Sequence, residues 1–494
     1  MLKPAIAGAC ALLLTTAPAA WAEIDAPTIW SDWQEVSSSF GASLSAASED
    51  YSNGTLTLTD VSVETTMGDV TSTTSYGTIA MVERDDGTIS IELPEVIEST
   101  GTTVDEGVDV EQKMTITSDN LSTIVREEDG VRTYDISADA YTMTMTQEGV
   151  EDAPPTEVTM RLADLVSEYN SGLGDDGRGF DQTATATEFE MAIAVEAQGE
   201  DQEPVTITYV MKDITSEAEG SYGEMPESPI ETLSDINATY SGVIRHDGSV
   251  LTVAGANPQG DFSVDGTSEN GLIEFSLGED SIAYTLSSTG GNVVAAVPTF
   301  PVPINFSMEE LTTAFTIPFG EIGSEKPFGM KLAYRDIEID DALWALFDPT
   351  GQLPRDPATL VVDLTGSANL TADIFGDPEA VAAMEGPPME VTELVIDELL
   401  LKLAGATLTG SGDLDFPNPS AEVPEPVGTV DLALDGGFAL VDKLVALGFI
   451  PAEQAAFVKG MAGAVATKTG DDRLESTIEF TPGGGITANG TPLR

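Results

Sequence analysis

Basic residues, histidine, cysteine and aromatics are all scarce in this chain, and each scarcity removes a class of function. Only 19 Lys and Arg stand against 85 Asp and Glu in 494 residues, a formal charge of −66. Such a surface repels phosphate backbones, which excludes nucleic acid as a partner, and it disfavours direct contact with anionic membranes. Histidine, the commonest general base and metal ligand, occurs once, at His246. The one cysteine, Cys10, lies in the N-terminal apolar run, so disulfides and thiolate metal sites have no residues to build them once that run is removed. Aromatics make up 6% of the chain, little for the stacking platforms of carbohydrate sites. No later segment has the roughly 18 uninterrupted apolar residues of a membrane-spanning helix.

What is present begins with an export signal. Lys3 supplies a positive start, and Ala5 to Leu14 form an apolar run too short to span a bilayer. Ala20-Trp21-Ala22 is a small-x-small cleavage site, which predicts a mature chain beginning at Glu23 in the periplasm. Cys10 sits inside the apolar run, with Ala7 where a lipobox prefers Leu, so acylation is not expected. The acids are spread along the whole chain, as on a surface adapted to salt. The sharper alternative is a surface that binds cations or a basic partner.

Most of the remaining sequence alternates with period two. Thr55–Val63, Thr88–Leu93, Tyr141–Met145 and Val205–Val210 place apolar or β-branched residues at every second position, as half-buried strands do. Asn-Gly or Asp-Gly dipeptides at 53, 86, 129, 176, 247, 265, 270, 435 and 489 punctuate the runs and suit tight hairpins. The pattern predicts a mainly β protein of long curved antiparallel sheets, with a few short helices. Helices are expected at Ile29-Trp33-Val36-Phe40, at Leu162-Leu165-Val166-Tyr169, after the capping pattern Ser307-Met308-Glu309-Glu310 and from Asp377-Pro378-Glu379. A C-terminal helical hairpin is expected over 438–468, with Leu440, Leu444, Leu447, Val458, Met461 and Val465 on its inner face. It reads as a cap over the sheet, or else as a lid or membrane-touching element. Pro-rich joints at 151–155, 225–229, 297–303 and 416–426 suggest an N-terminal β-rich domain over 23–226 and a C-terminal one over 227–494. An Asp followed by an aliphatic recurs within strand patterns at Asp60-Val61, Asp135-Ile136, Asp213-Ile214 and Asp336-Ile337, either a trace of repeated sheet units or chance.

No motif assigns a catalytic, cofactor-binding or metal-ligating residue. His246 lies in Ile244-Arg245-His246-Asp247-Gly248, which reads as a hairpin turn with a structural histidine. Gly410-Ser411-Gly412 lacks the spacing of a nucleophile elbow. Lys468-Thr469-Gly470 matches one element of the penicillin-recognising enzymes, but the Ser-x-x-Lys nucleophile motif is missing. Two carboxylates suffice for a glycosidase, so that chemistry stays open. Asp336–Asp341 and Gly174–Gly177 offer oxygen ligands for calcium without matching an EF-hand loop.

One stretch carries a resemblance. Asp341-Ala342-Leu343-Trp344-Ala345-Leu346-Phe347-Asp348-Pro349, followed by Leu353-Pro354-Arg355-Asp356-Pro357-Ala358-Thr359-Leu360, resembles the signature of the domain of unknown function 2125 family of exported proteobacterial proteins. The Trp30 and Trp33 pair, Ala404 to Phe416, Pro426-Val427-Gly428-Thr429, the hairpin and the closing Asn489-Gly490 fit the same family. The resemblance implies an envelope location and brings no activity with it. By residue chemistry, each proline holds its predecessor extended, Arg355 is expected in a fixed salt bridge, and Trp344 with Phe347 should plug a sheet face.

These readings converge on an exported, non-enzymatic envelope protein whose sheet binds an apolar, lipid-like ligand or a protein partner. A structural module without cargo is the second reading and a carboxylate-dependent hydrolase the third.

Overall fold

The computed structural model of the chain describes residues 24–493 apart from 40–41, 68–69, 106–107, 149–154, 175–177, 198–203, 223–237, 258, 373–380, 382–383, 385 and 422. The cleavage site Ala22/Glu23, the helix expected from Asp377, and most of the first two proline joints lie outside those residues. The fold is mainly β, built of long antiparallel strands with four helices among the described residues. It divides into two compact units. The first runs to Gly266 and takes in Val297–Thr299; the second holds Thr267–Ala296 and the chain from Phe300 onward.

In the first unit, helix α1 (Ala26–Ser39) buries Ile29, Trp30, Trp33 and Val36. Ile29, Trp30 and Trp33 pack with Leu56, Leu58, Ile79, Met81, Ile89 and Val125 in the largest buried cluster. The strands beneath are β1 (Ala42–Ser45), β2 (Ser48–Ser52), β3 (Thr55–Met67), β4 (Val70–Glu83), β5 (Ile89–Glu92), β6 (Val96–Asp105), β7 (Val108–Asp119) and β8 (Ser122–Glu128). The chain continues through β9 (Val131–Glu148), β10 (Thr156–Leu173), β11 (Gly179–Val195), β12 (Val205–Tyr222), β13 (Ala238–His246), β14 (Ser249–Asn257) and β15 (Gly260–Ser268). Asp32 on α1 is locked to the sheet by Arg132 of β9 at 2.7 Å, and Glu127 takes the other arm of the guanidinium at 3.1 Å.

Several of these strands are halves of one longer line. β1 and β2 both pair with β3 in a single register, and the break at Ala46-Ala47 lies beside Asp60. β7 and β8 share β9 in the same way, around Asn120, and β13 and β14 share β12, around Asp247. The residues opposite or at these breaks are left-handed: Asp60 (φ 51°), Gly77 (63°), Asn120 (52°), Asp164 (50°) and Asp213 (49°). Asx residues and Gly tolerate this conformation, which L side chains otherwise avoid. Together they form a crease running across the strands. Each crease residue is an insertion into the pleat, so the apolar alternation changes phase there. On β10, Val158, Met160 and Leu162 are the apolar set before Asp164, whereas Ser167, Tyr169 and Ser171 are the buried set after it. One side of the sheet stays apolar across the crease: Ala186, Ile214 and Ile244 from one phase cluster with Leu162, Phe189 and Met211 from the other.

The second unit is a meander. Its strands are β16 (Asn270–Leu277), β17 (Ser281–Ala296), β18 (Ile304–Pro318), β19 (Glu325–Ile339), β20 (Ala358–Leu370), β21 (Met389–Leu403), β22 (Ala406–Asp415), β23 (Val427–Asp435) and β25 (Arg473–Thr481), each bonded to the next. The two-residue β24 (Thr467–Lys468) adds to β25. A second crease passes through Gly290 (φ 61°) and Asp336 (φ 53°), where β19 bulges against β20 between Tyr334 and Ile337. Helix α2 (Asp341–Phe347) follows β19, and helices α3 (Gly437–Ala446) and α4 (Ala452–Val465) form the C-terminal hairpin.

Five expectations change. Leu162–Tyr169 lies in β10 and Ser307–Phe315 in β18, both strands paired on two sides. His246-Asp247-Gly248 is a kink in a continuous strand and not a hairpin turn, since Lys212 bonds both Gly248 O and Asp247 N across it. The chain on the two sides of 226/227 is held together by the pairing of β12 with β13 and β14, and the units divide at Gly266 instead. In the hairpin, Val458 and Met461 point outward, 53% and 54% exposed, and Leu444 is half-buried.

Candidate functional site

Strand alternation sorts side chains onto two faces, and one face of each unit carries no acid or base over several rows. In the first unit Ile116, Met143, Met160, Met191, Tyr209 and Leu251 stand directly opposite one another on successive strands. Met114, Met145, Val158, Ile193, Ile207 and Val253 form the next row on that side. Threonines hold the opposite face, with Thr115, Thr144, Thr159 and Thr208 in one row. Six of the chain's 15 methionines (these five and Met211) lie on the apolar side. All but Met114 and Met211 of the residues in these rows are only half-buried. Methionine is flexible and polarizable, which suits a surface meeting irregular apolar shapes.

The second unit repeats the arrangement with larger groups. Phe275, Tyr284, Phe315, Met330, Leu364 and Ile396 make one row. A second runs Leu311, Tyr334, Leu360, Leu401, Leu408, Leu434 and Leu474. Phe275, Tyr284, Leu286, Phe315 and Ile317 are each 37–40% exposed. That is a contiguous apolar patch of the kind that marks a binding surface. The other face is charged and internally paired: Arg335 bridges Glu310 (3.4 Å) and Glu398 (3.0 Å), and Lys331 meets Asp363 (2.7 Å). Glycine lets aromatics lie flat on this sheet. A Cβ at Gly366 would fall 2.8 Å from the Phe328 ring.

Helix α1 packs against β1, β3 and β4, and α3 meets β22 at the Leu434 end of the second row. No protein-family model, curated protein or solved structure matches this chain. Its chemistry is therefore read from its own residues.

The signature stretch forms a loop held by its own hydrogen bonds. Asp340 caps α2 through Leu343 N (2.8 Å), and Leu343 is the residue that α2 buries. Phe347 is 46% exposed and so does not plug the sheet face, whereas Trp344 is half-buried. Asp348 is buried and accepts from Leu353 N (2.6 Å) and Thr350 Oγ1 (3.2 Å). Backbone N–H groups of Gln352 and Leu353 hold its carboxyl below the usual carboxylate range. Pro349 starts the turn that Asp348 closes, and Pro354 packs on the turn at Gly405, where a Cβ would lie 3.0 Å from its ring. Arg355 pairs with Asp341, and Asp356 and Pro357 lead into β20. This is an architectural joint, since its polar groups answer one another.

His246 is buried and its Nδ1 meets Gly248 O at 3.1 Å; burial pulls its pKa down, favouring the neutral ring. Of the run considered for calcium, Asp336 is a crease residue, Asp340 a helix cap and Asp341 an ion-pair partner. Glu393, Asp413 and Asp415 bring carboxylate oxygens within 4.8 Å of one another on β21 and β22, a set of oxygen donors that sequence spacing did not reveal.

Proposed function

We propose that this is an exported, periplasmic, non-enzymatic protein that holds an apolar, lipid-like ligand against the half-exposed apolar faces of its sheets. The observation that carries the reading is the composition of those faces: several complete rows without one charge, in a chain with 85 acids. Water-exposed apolar area is costly at ~25 cal/mol per Å², and an acyl chain lying across a row would remove it. Membership of the domain of unknown function 2125 family belongs to the same proposal and rests on residues 341–360. Native mass spectrometry of protein purified from its own envelope, with lipid extraction, tests the ligand. The expected result is co-purified lipid that is depleted when Phe315→Asp or Met160→Asp puts a carboxylate in a row. Wild-type protein free of lipid, or carboxylate variants that keep it, would overturn the proposal. Partner proteins recovered in place of lipid would favour the interaction-module reading.

A further inference from the structure

The C-terminal hairpin is exposed where a water-soluble helix pair should be polar. Helix α4 reads Ala-Glu-Gln-Ala-Ala-Phe-Val-Lys-Gly-Met-Ala-Gly-Ala-Val, with Glu453, Gln454 and Lys459 its polar side chains, yet it buries only Ala455. Phe457 (68%), Val458 (53%) and Met461 (54%) form an outward stripe, and Phe449 (54%) extends it to the turn between the helices. A contiguous apolar stripe of this kind is normally covered by protein or lipid.

The base of the hairpin is fixed. Asp472 accepts from Phe438 N (3.2 Å) and Ala439 N (2.9 Å), and Ser476 Oγ donates to Val465 O (2.7 Å). Lys459 ties the helices together through Asp442 (2.6 Å) and lies over the Phe438 ring. The exposed stripe is therefore presented by a braced element.

Charge says what the stripe meets. Helices α3 and α4 hold two lysines (443 and 459) and two acids (Asp442 and Glu453), an uncharged element in a chain of charge −66. A second copy would bring two strongly acidic bodies together, and an acidic bilayer would repel every other part of the surface. Here that repulsion is lifted, and apolar side chains stand beside lysines, the composition of an element that sits in the lipid headgroup region. We propose that the hairpin docks the protein on a bilayer surface, inserting Phe449, Phe457 and Met461 among the headgroups. This does not depend on the sheet faces holding a ligand.

Flotation of the protein purified from its own envelope, with vesicles of phosphatidylethanolamine and phosphatidylglycerol in physiological salt, tests the docking. Wild-type protein should float. The triple variant Phe449→Ser/Phe457→Ser/Met461→Ser should lose vesicle binding by about tenfold or more, since each apolar group removed weakens interfacial partitioning. It should melt as the wild type does, because the three side chains are more than half exposed. Its lipid content by extraction should stay unchanged, which separates this result from failure of the ligand proposal. Wild-type protein that stays at the bottom of the gradient overturns the inference, as does a triple variant that floats equally well. A triple variant that instead converts a dimer to a monomer would assign the stripe to a second copy and also overturn it.

Discussion

Asp60 and Asp213 sit left-handed in the crease with their side chains exposed, so substitution there changes the backbone preference and almost nothing else. The comparison requires three variants at each site: Asn, Gly and Val. All three remove one negative charge, which cancels the relief of self-repulsion in the differences between them. Asn keeps the Asx tolerance for φ near 50°, Gly meets no Cβ penalty, and Val must hold a β-branched side chain where it clashes with its own carbonyl. A left-handed conformation costs an ordinary L residue ~1–2 kcal/mol, and strained positions of this kind run to ~3 kcal/mol. Relative to Asn, Gly should therefore be near neutral and Val destabilising by ~1–3 kcal/mol. Urea unfolding followed by circular dichroism reads the difference as a shift of midpoint at constant slope. Val and Gly variants of equal stability at both sites would mean that the crease carries no conformational strain, and the reasoning would fail.

Two further outcomes are expected. Arg132→Met should cost ~3–5 kcal/mol, because Asp32 would stay buried without its counter-charge, whereas Asp32→Leu/Arg132→Met should recover much of the loss. Unfolding followed through Trp30 and Trp33 on the same helix measures both, and a single variant as stable as the double would refute it. At the signature joint, the Asp348 carboxyl has a lowered pKa, so its contribution is complete above the ordinary carboxylate value of ~3.9 and disappears as pH falls through the lower folded value. Hydrogen exchange at the Leu353 amide should lose protection over that acid range in the wild type and be weak at all pH in Asp348→Ala; protection that ignores pH would remove Asp348 as the loop's organiser.

Period-two alternation revealed the β class, and spacings of three and four revealed α1 and the two C-terminal helices. It misled where a crease intervenes. On β10 the phase slip at Asp164 puts Leu162, Leu165 and Tyr169 at spacings of three and four, the signature of a helix. On β18 the slip beside Glu309 does the same to Met308, Leu311 and Phe315. The recurrent Asp-aliphatic pairs were the visible trace: Asp60, Asp213 and Asp336 are crease residues, whereas Asp135 instead pairs with Arg126. The uncharged rows that make up the candidate site arise from cross-strand register, which no single stretch of sequence displays. The Glu393, Asp413 and Asp415 set was hidden for the same reason.

The succession of strands in the second unit also bears on how the chain reaches this state. From β16 to β23 each strand bonds to the one made just before it, so every pairing joins sequence neighbours. Loop-closure entropy is small for such contacts, and low contact order speeds folding. A polypeptide delivered N-terminus first can thus lay down each hairpin on a template edge already in place, without waiting for its C-terminal end. At any moment only the newest strand offers unpaired backbone, so the aggregation-prone surface during delivery stays about one strand wide however long the finished sheet becomes.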